Sequence, residues 1–281
     1  MGMLLALDVG NTQTVVGVFD PPVPSAAGRR PGEITGLRRS WRVSTLAERT
    51  ADEHALLLSE LLGLAGIALA PGAARAGGGR IEGIVCASSV PAVTAALREM
   101  VRRWLDVPLV VVEPGIKTGM AILYDNPREV GADRIVNAVG AVDLFGGPAV
   151  VVDLGTATTF DAISADGEYL GGAIAPGLEI SMDALFAHAA ALPRVALSAP
   201  EHVIGRSTVQ SMQVGAVYGH AALVDGLCAR LLAELGAATV VATGGLADLI
   251  APHCRAVRHV EPWLTLHGLR LLFARNVGEG R

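Results

Sequence analysis

Apolar residues along this chain gather in short Val, Ile, Leu and Ala runs, each broken by Gly, Asp or Arg. Runs of that length, rich in β-branched residues, predict strands. In the first half they fall at 3–9, 14–19, 38–43, 82–87 and 107–112, with helices near 50–63 and 91–104. Leu56, Leu57, Leu61 and Leu64 supply the helical spacing of the first helix, and Ser89 ahead of Pro91 marks the start of the second. In the second half strands are predicted at 148–153, 158–163, 168–174, 238–242 and 256–260. Helices are predicted at 178–189 and 208–235, from about 245, and at 263–275. A helix over 128–145 joins the halves, while 21–36 and 70–80, the latter holding Gly77-Gly78-Gly79, read as surface loops.

The order β-β-β-α-β-α-β therefore occurs twice, and its opening is repeated in sequence. Leu7-Asp8-Val9-Gly10-Asn11-Thr12 has a degenerate echo in Val152-Asp153-Leu154-Gly155-Thr156. Each copy is an apolar strand ending in aspartate, a Gly/Thr turn and a second strand. The repeat predicts an α/β fold of two domains, 1–146 and 147–281, each a mixed β-sheet flanked by helices, with a cleft between them. The last helix can pack back on the first domain.

Such a turn suits phosphate. Glycine lets the backbone approach an anion, turn N–H groups and Thr or Asn side chains donate to its oxygens, and the aspartate can hold a neutralising cation. Two common phosphate-binding signatures are absent from the chain. Lys117 is the sole lysine and follows Ile116, so there is no Gly-Lys-Ser/Thr loop, and no Gly-x-Gly-x-x-Gly follows the first strand. Phosphate handling must rest on amides, hydroxyls, arginine and cations.

Composition narrows the class further. With 51% hydrophobic and 17% charged residues the chain can bury large cores, and a net charge of -5 argues against a nucleic-acid surface. No unbroken apolar run approaches the roughly 20 residues of a membrane span, and Met1 leads almost directly into a strand, so a soluble, cytoplasmic protein without membrane contact is expected. Cys86, Cys228 and Cys254 lack metal or disulfide spacing, and the seven histidines form no i, i+4 pair.

Five blocks carry a more specific likeness: Asp8-Val9-Gly10-Asn11-Thr12; Tyr124-Asp125-Asn126-Pro127 leading into Glu129-Val130-Gly131-Ala132-Asp133-Arg134; Asp153-Leu154-Gly155-Thr156-Ala157-Thr158; Gly171-Gly172-Ala173-Ile174-Ala175-Pro176-Gly177; and Thr243-Gly244-Gly245. With these the chain resembles the type III pantothenate kinases of the acetate kinase/sugar kinase/Hsp70/actin superfamily over nearly its whole length. The resemblance implies duplicated actin-like (ribonuclease H-like) domains and transfer of phosphate from ATP to pantothenate, at the start of coenzyme A synthesis. It implies that Asp8, Val9, Gly10, Asn11, Thr12, Gln13, Thr14, Val15 and Thr156 bind ATP, with Asp8 near a divalent cation, Mg2+ by expectation. It further implies that Tyr124, Gly131, Ala132, Asp133, Arg134 and Thr208 bind pantothenate, that Asp133 accepts the proton, and that Asp153 coordinates a monovalent cation (K+ or NH4+). A homodimer is implied as well, and the helix 208–235, interspersed with Gly215, Gly219 and Gly226, could pack against a partner or within its own domain.

Taken without the resemblance, the same residues have plainer readings. Asp133 beside Arg134 is also a salt-bridged pair at a helix start, Tyr124 a packed aromatic, and Asp153 a turn-capping acid. Two other functions stay open at this stage: a kinase for another small hydroxylated acid or sugar, and a catalytically silent regulatory homologue.

Overall fold

The computed structural model describes residues 2–21, 33–69, 79–189 and 191–277. Most of the two loop segments expected at 21–36 and 70–80 lies outside the described residues. The chain forms two compact units: Met1–Gly119 with Asn126–Gly140 and Thr265–Arg281, and Met120–Asp125 with Ala141–Leu264.

In the first unit β1 (Met3–Val9) and β2 (Gln13–Phe19) form a hairpin, and β3 (Leu37–Ser44) adds antiparallel to β2. Helix α1 (Ala51–Leu64) leads to β4 (Ile81–Ser88), and α2 (Pro91–Trp104) to β5 (Leu109–Val111), both strands parallel to their neighbours, giving the order β3-β2-β1-β4-β5. One face packs Leu5, Leu7 and Val9 of β1 against Leu58 and Leu62 of α1 and Val93, Leu97 and Met100 of α2. The last helix, α7 (Leu264–Val277), belongs to this unit from Thr265 onward. Its Leu266 and Phe273 occupy the space where Gly17 and Gly83 carry no side chain.

The second unit repeats this order. Strands β6 (Ala149–Leu154), β7 (Ala157–Ile163) and β8 (Tyr169–Pro176) are antiparallel, followed by α4 (Leu178–His188) and α5 (Thr208–Leu235). Strand β9 (Thr239–Thr243) is parallel to β6, the short α6 (Ala247–Ile250) follows, and β10 (His259–Val260) completes β10-β9-β6-β7-β8. Read from the opposite edge, this is third, second, first, fourth, fifth, as in the first unit. The duplicated α/β fold of two mixed sheets with helices, expected from the sequence, is present. By length and composition α5 could cross a membrane, although polar residues interrupt its apolar runs. Its Met212, Ala216, Val217, Ala221, Val224 and Cys228, however, belong to the core of this unit.

Several local expectations need correction. The helix predicted over 128–145 is interrupted: a 3-10 turn, Pro127–Glu129, is capped by the Asn126 side chain, Val130 is extended, and α3 runs only over Ala132–Phe145. Helix α2 does not start from a Ser89 cap. Val90 holds the cap position without a side-chain bond, and it is the Ser88 hydroxyl that accepts the Val90 N–H at 3.1 Å. Strands β5 and β10 are shorter than predicted, pairing only over Leu109–Val111 and His259–Val260. The three cysteines are free, and burial pushes each thiol up to about 12, which keeps them protonated at neutral pH.

Helix α1 opens with a capping box, Thr50 and Glu53 bonding each other's backbone N–H. One turn in, His54 is buried and its Nε2 has no hydrogen-bond partner among the described residues. Burial, reinforced by Arg49 and opposed by Glu53, lowers its pKa from 6.5 to about 4. The unfolded chain therefore takes up this proton first, and stability is lost as pH falls from about 6.5 toward 4, by at most about 3 kcal/mol. His54→Leu is expected to flatten that part of the acid limb when urea unfolding is compared at pH 7 and 4.5. An unchanged pH dependence would remove His54 from the acid response.

Candidate active site

The first hairpin places Asp8 at the penultimate position of β1, half-buried, next to a turn whose Asn11, Thr12 and Gln13 are exposed. Gly10 N–H donates to Gln13 O at 3.0 Å and closes the turn, while Ser89 N–H donates to Val9 O at 2.9 Å from the loop after β4. The outer side is braced by Thr45, whose N–H donates to Thr12 O at 3.0 Å and whose hydroxyl lies 2.8 Å from that of Thr14. Val15 sits across from Asp8 in the hairpin register.

The second hairpin is built alike but braced differently. Asp153 is again penultimate in its strand, Gly155 N–H donates to Ala157 O at 3.0 Å, and Leu246 N–H donates to Leu154 O at 3.1 Å. Here Gly177 N–H donates to Thr156 O at 3.2 Å, so β8 and the start of α4 hold the turn. Gly244 adopts φ +95°, and a Cβ there would overlap the Asp153 carboxylate. Only glycine combines that backbone with so close an approach. Thr159 and Thr243 are the cross-strand partners of Asp153, which puts all three side chains on one sheet face. The Thr159 hydroxyl is buried without a hydrogen-bond partner among the described residues. On the other face Thr158 bonds His220 of α5 at 2.8 Å, and burial lowers the His220 pKa, favouring the neutral ring. Among the described residues there is no cluster of three His, Cys, Asp or Glu side chains suited to a metal ion.

The expected acceptor residues divide between the units. In the first, Gly131, Ala132, Asp133 and Arg134 form the entry to α3. Asp133 Oδ1 accepts the Arg134 N–H at 2.9 Å, and a Cβ on Gly131 would stand 2.5 Å from that oxygen, so glycine leaves the carboxylate its place. The Arg134 side chain is buried.

In the second unit the segment carrying Tyr124 pairs with Tyr169. Leu123 N–H donates to Tyr169 O at 2.8 Å and Tyr169 N–H to Ala121 O at 2.9 Å. The two tyrosine rings are 6.4 Å apart, and the Tyr169 hydroxyl donates to the buried Asp161 at 2.9 Å. Thr208 is the exposed first residue of α5, behind a Ser207 cap. It borders an open groove of about 1000 Å³ between α4 and α5, lined among others by Arg206, Ser211, Met212 and His220.

Thr159, Asp161, Tyr169, His220, Thr45 and Arg42 are not among the site residues expected from the sequence. Their partners lie on other strands or helices, and no local spacing announces such contacts.

Comparison with known proteins bears on these blocks directly. The profile of the family described as type III pantothenate kinase matches residues 4–230. Type III pantothenate kinases of Streptomyces griseus and Acidothermus cellulolyticus are 53% and 52% identical, covering 98% and 99% of this chain and 99% and 100% of the relatives. That of Myxococcus xanthus is 51% identical over 98% of this chain and 99% of its own. Among solved structures, the ethanolamine utilization protein EutJ of Carboxydothermus hydrogenoformans superposes with a TM-score of 0.54 at 14% identity, over 97% of this chain and 90% of its own, a likeness of fold alone. On the family profile and these near full-length relatives, the chain belongs to the type III pantothenate kinases.

Proposed function

We propose that the chain transfers the γ-phosphoryl group of ATP to the primary hydroxyl of pantothenate, giving 4′-phosphopantothenate, the first step of coenzyme A synthesis. The observation that carries this reading is the Gly131-Ala132-Asp133-Arg134 block, with its carboxylate held at the mouth of α3 by the Arg134 amide and a side-chain-free Gly131. Residues 8–15 and Thr156 take the ATP phosphates, and Tyr124, the 131–134 block and Thr208 take pantothenate. A carboxylate is too weak a base to deprotonate a primary alcohol outright, but it orients the hydroxyl and accepts its proton as the new P–O bond forms. As that bond forms, the bond to the leaving ADP breaks, through a loose transition state that chiefly requires alignment and compensating charge. The substrates place such an enzyme in the cytoplasm.

Two cations fit the residues present. Asp8 offers a single carboxylate beside the phosphate turn, suited to a divalent ion that arrives with ATP. Asp153, flanked on its face by Thr243 and by the unpartnered hydroxyl of Thr159, offers oxygen donors suited to a monovalent ion, potassium or ammonium. Bound there, these ions supply positive charge that a lysine provides in other phosphate loops.

A homodimer is the assembly this reading favours. Side chains added at Gly215 and Gly219 of α5 would meet nothing within 4 Å, and Ile180, Leu185 and Val209 are exposed on α4 and α5. Apolar groups left open in this way suit a second copy of the chain.

Three outcomes are expected. Asp133→Asn keeps the thermal unfolding profile and loses at least about 100-fold in kcat; near-normal turnover would take Asp133 out of the mechanism. Thr159→Val raises the potassium concentration needed for half-maximal activity and diminishes the rise in Tm with added potassium; wild-type behaviour in both would separate Thr159 from cation binding. Gly219→Arg shifts the native mass from dimer toward monomer, whereas a wild type already monomeric at micromolar concentration would end the dimer reading.

A further inference from the structure

The expected phosphate site lacks a side-chain cation in its motif, yet the fold brings one to it. Strand β3 carries three arginines, Arg38, Arg39 and Arg42. Arg38 is paired with Asp20 at 3.2 Å, and Arg39 donates to the Arg38 carbonyl. Arg42 has no acidic partner among the described residues. Its guanidinium is exposed, and one Nη1–H donates to the Gln13 side-chain oxygen at 2.9 Å, inside the phosphate turn.

The register fixes which way this residue points. Asp8 is opposite Val15, and Val15 is opposite Arg42, so Asp8 and Arg42 stand on the same sheet face with one strand between them. Two strand spacings put their Cα atoms about 10 Å apart. Gln13, two residues before Val15, shares that face. A phosphate chain seated on the turn has the metal-binding carboxylate on one flank and the guanidinium on the other. Gln13 occupies one of the five guanidinium donors and steadies the head, leaving a planar fork that matches two phosphate oxygens.

We infer that Arg42 is a polyphosphate-binding residue of the nucleotide site, positioned by Gln13. The inference rests on the reading of residues 8–15 as the ATP phosphate turn. It explains how a kinase with one lysine, placed in the loop after β5, meets triphosphate charge on the first hairpin without help from that lysine. Arginine is well suited here because its fork binds oxygens in pairs, whereas an ammonium acts as a point charge.

The test is calorimetric titration of the purified full chain with ATP·Mg and with adenosine, alongside steady-state kinetics. Arg42→Gln is expected to weaken ATP binding about 30-fold, to leave adenosine binding and the KM for pantothenate unchanged, and to reduce the salt dependence of ATP affinity. Arg42→Lys should recover part of the loss, and Gln13→Met, which removes the tether but keeps the charge, should show a smaller one. Wild-type ATP affinity in folded Arg42→Gln, with Asp8→Asn impaired, would overturn the role of Arg42 and leave the phosphate turn standing. Wild-type affinity in both variants would overturn the turn and Arg42 together. Equal losses for ATP and adenosine would mean a distorted hairpin and would also refute the inference.

Discussion

The two aspartate-bearing turns of the candidate site hang from the ends of two strands that are buried along nearly their whole length. In β1 the residues Leu5, Ala6, Leu7 and Val9 have almost no exposure, and in β6 neither have Val150, Val151 and Val152. A one-residue slip would exchange the side chains packed on the two faces and carry the penultimate aspartate to the opposite face. The aspartate one place from the end is therefore held as firmly as the core behind it. Each turn beyond is closed by a glycine amide and tied by an amide from the parallel neighbour's loop. Rigid central strands with polar ends are a means of aiming carboxylates, and this chain uses that means twice.

The two copies share topology but differ in chemistry. The first turn is three residues long, exposed, and braced from β3 by Thr45 and Arg42. The second is two residues long and more tightly braced, with β8 and the loop after β9 packed so near that Gly177 and Gly244 have no room for a side chain, while Thr156 stays exposed. An exposed turn fronted by hydroxyls and amides suits a flexible phosphate chain, and the buried Thr159 hydroxyl and buried Thr243, which flank Asp153 on its sheet face, suit a small desolvated ion. Duplication supplied one scaffold, and the outer strands made the halves different.

Much of this architecture was legible in the sequence because its main signals are local. Short β-branched runs ending in Asp-x-Gly announce a strand and its turn within ten residues, and the repeat of that pattern announced two similar units. Strand β10 was harder: it has only two paired residues, both exposed, so the burial that makes strands readable is missing. The break before α3 was hidden because the need for a bare Gly131 arises from the Asp133 carboxylate two residues on, a contact made only once the chain has turned into the helix. The motif residues of the candidate site could be named from the chain alone. Their supports could not, since Gln13 and Arg42, Thr158 and His220, and Tyr169 and Asp161 meet only after strands pair or a helix docks.

Tyr169 has one further implication. Its amide and carbonyl both pair with residues 121–123, its ring faces that of Tyr124, and its hydroxyl is anchored on a carboxylate buried in the sheet. What looks like a free connector between β5 and α3 is, at this point, an extra rung of the second sheet. Anyone transplanting the Tyr124 segment would have to move Tyr169 and Asp161 with it, because the loop's shape is stored in its neighbour.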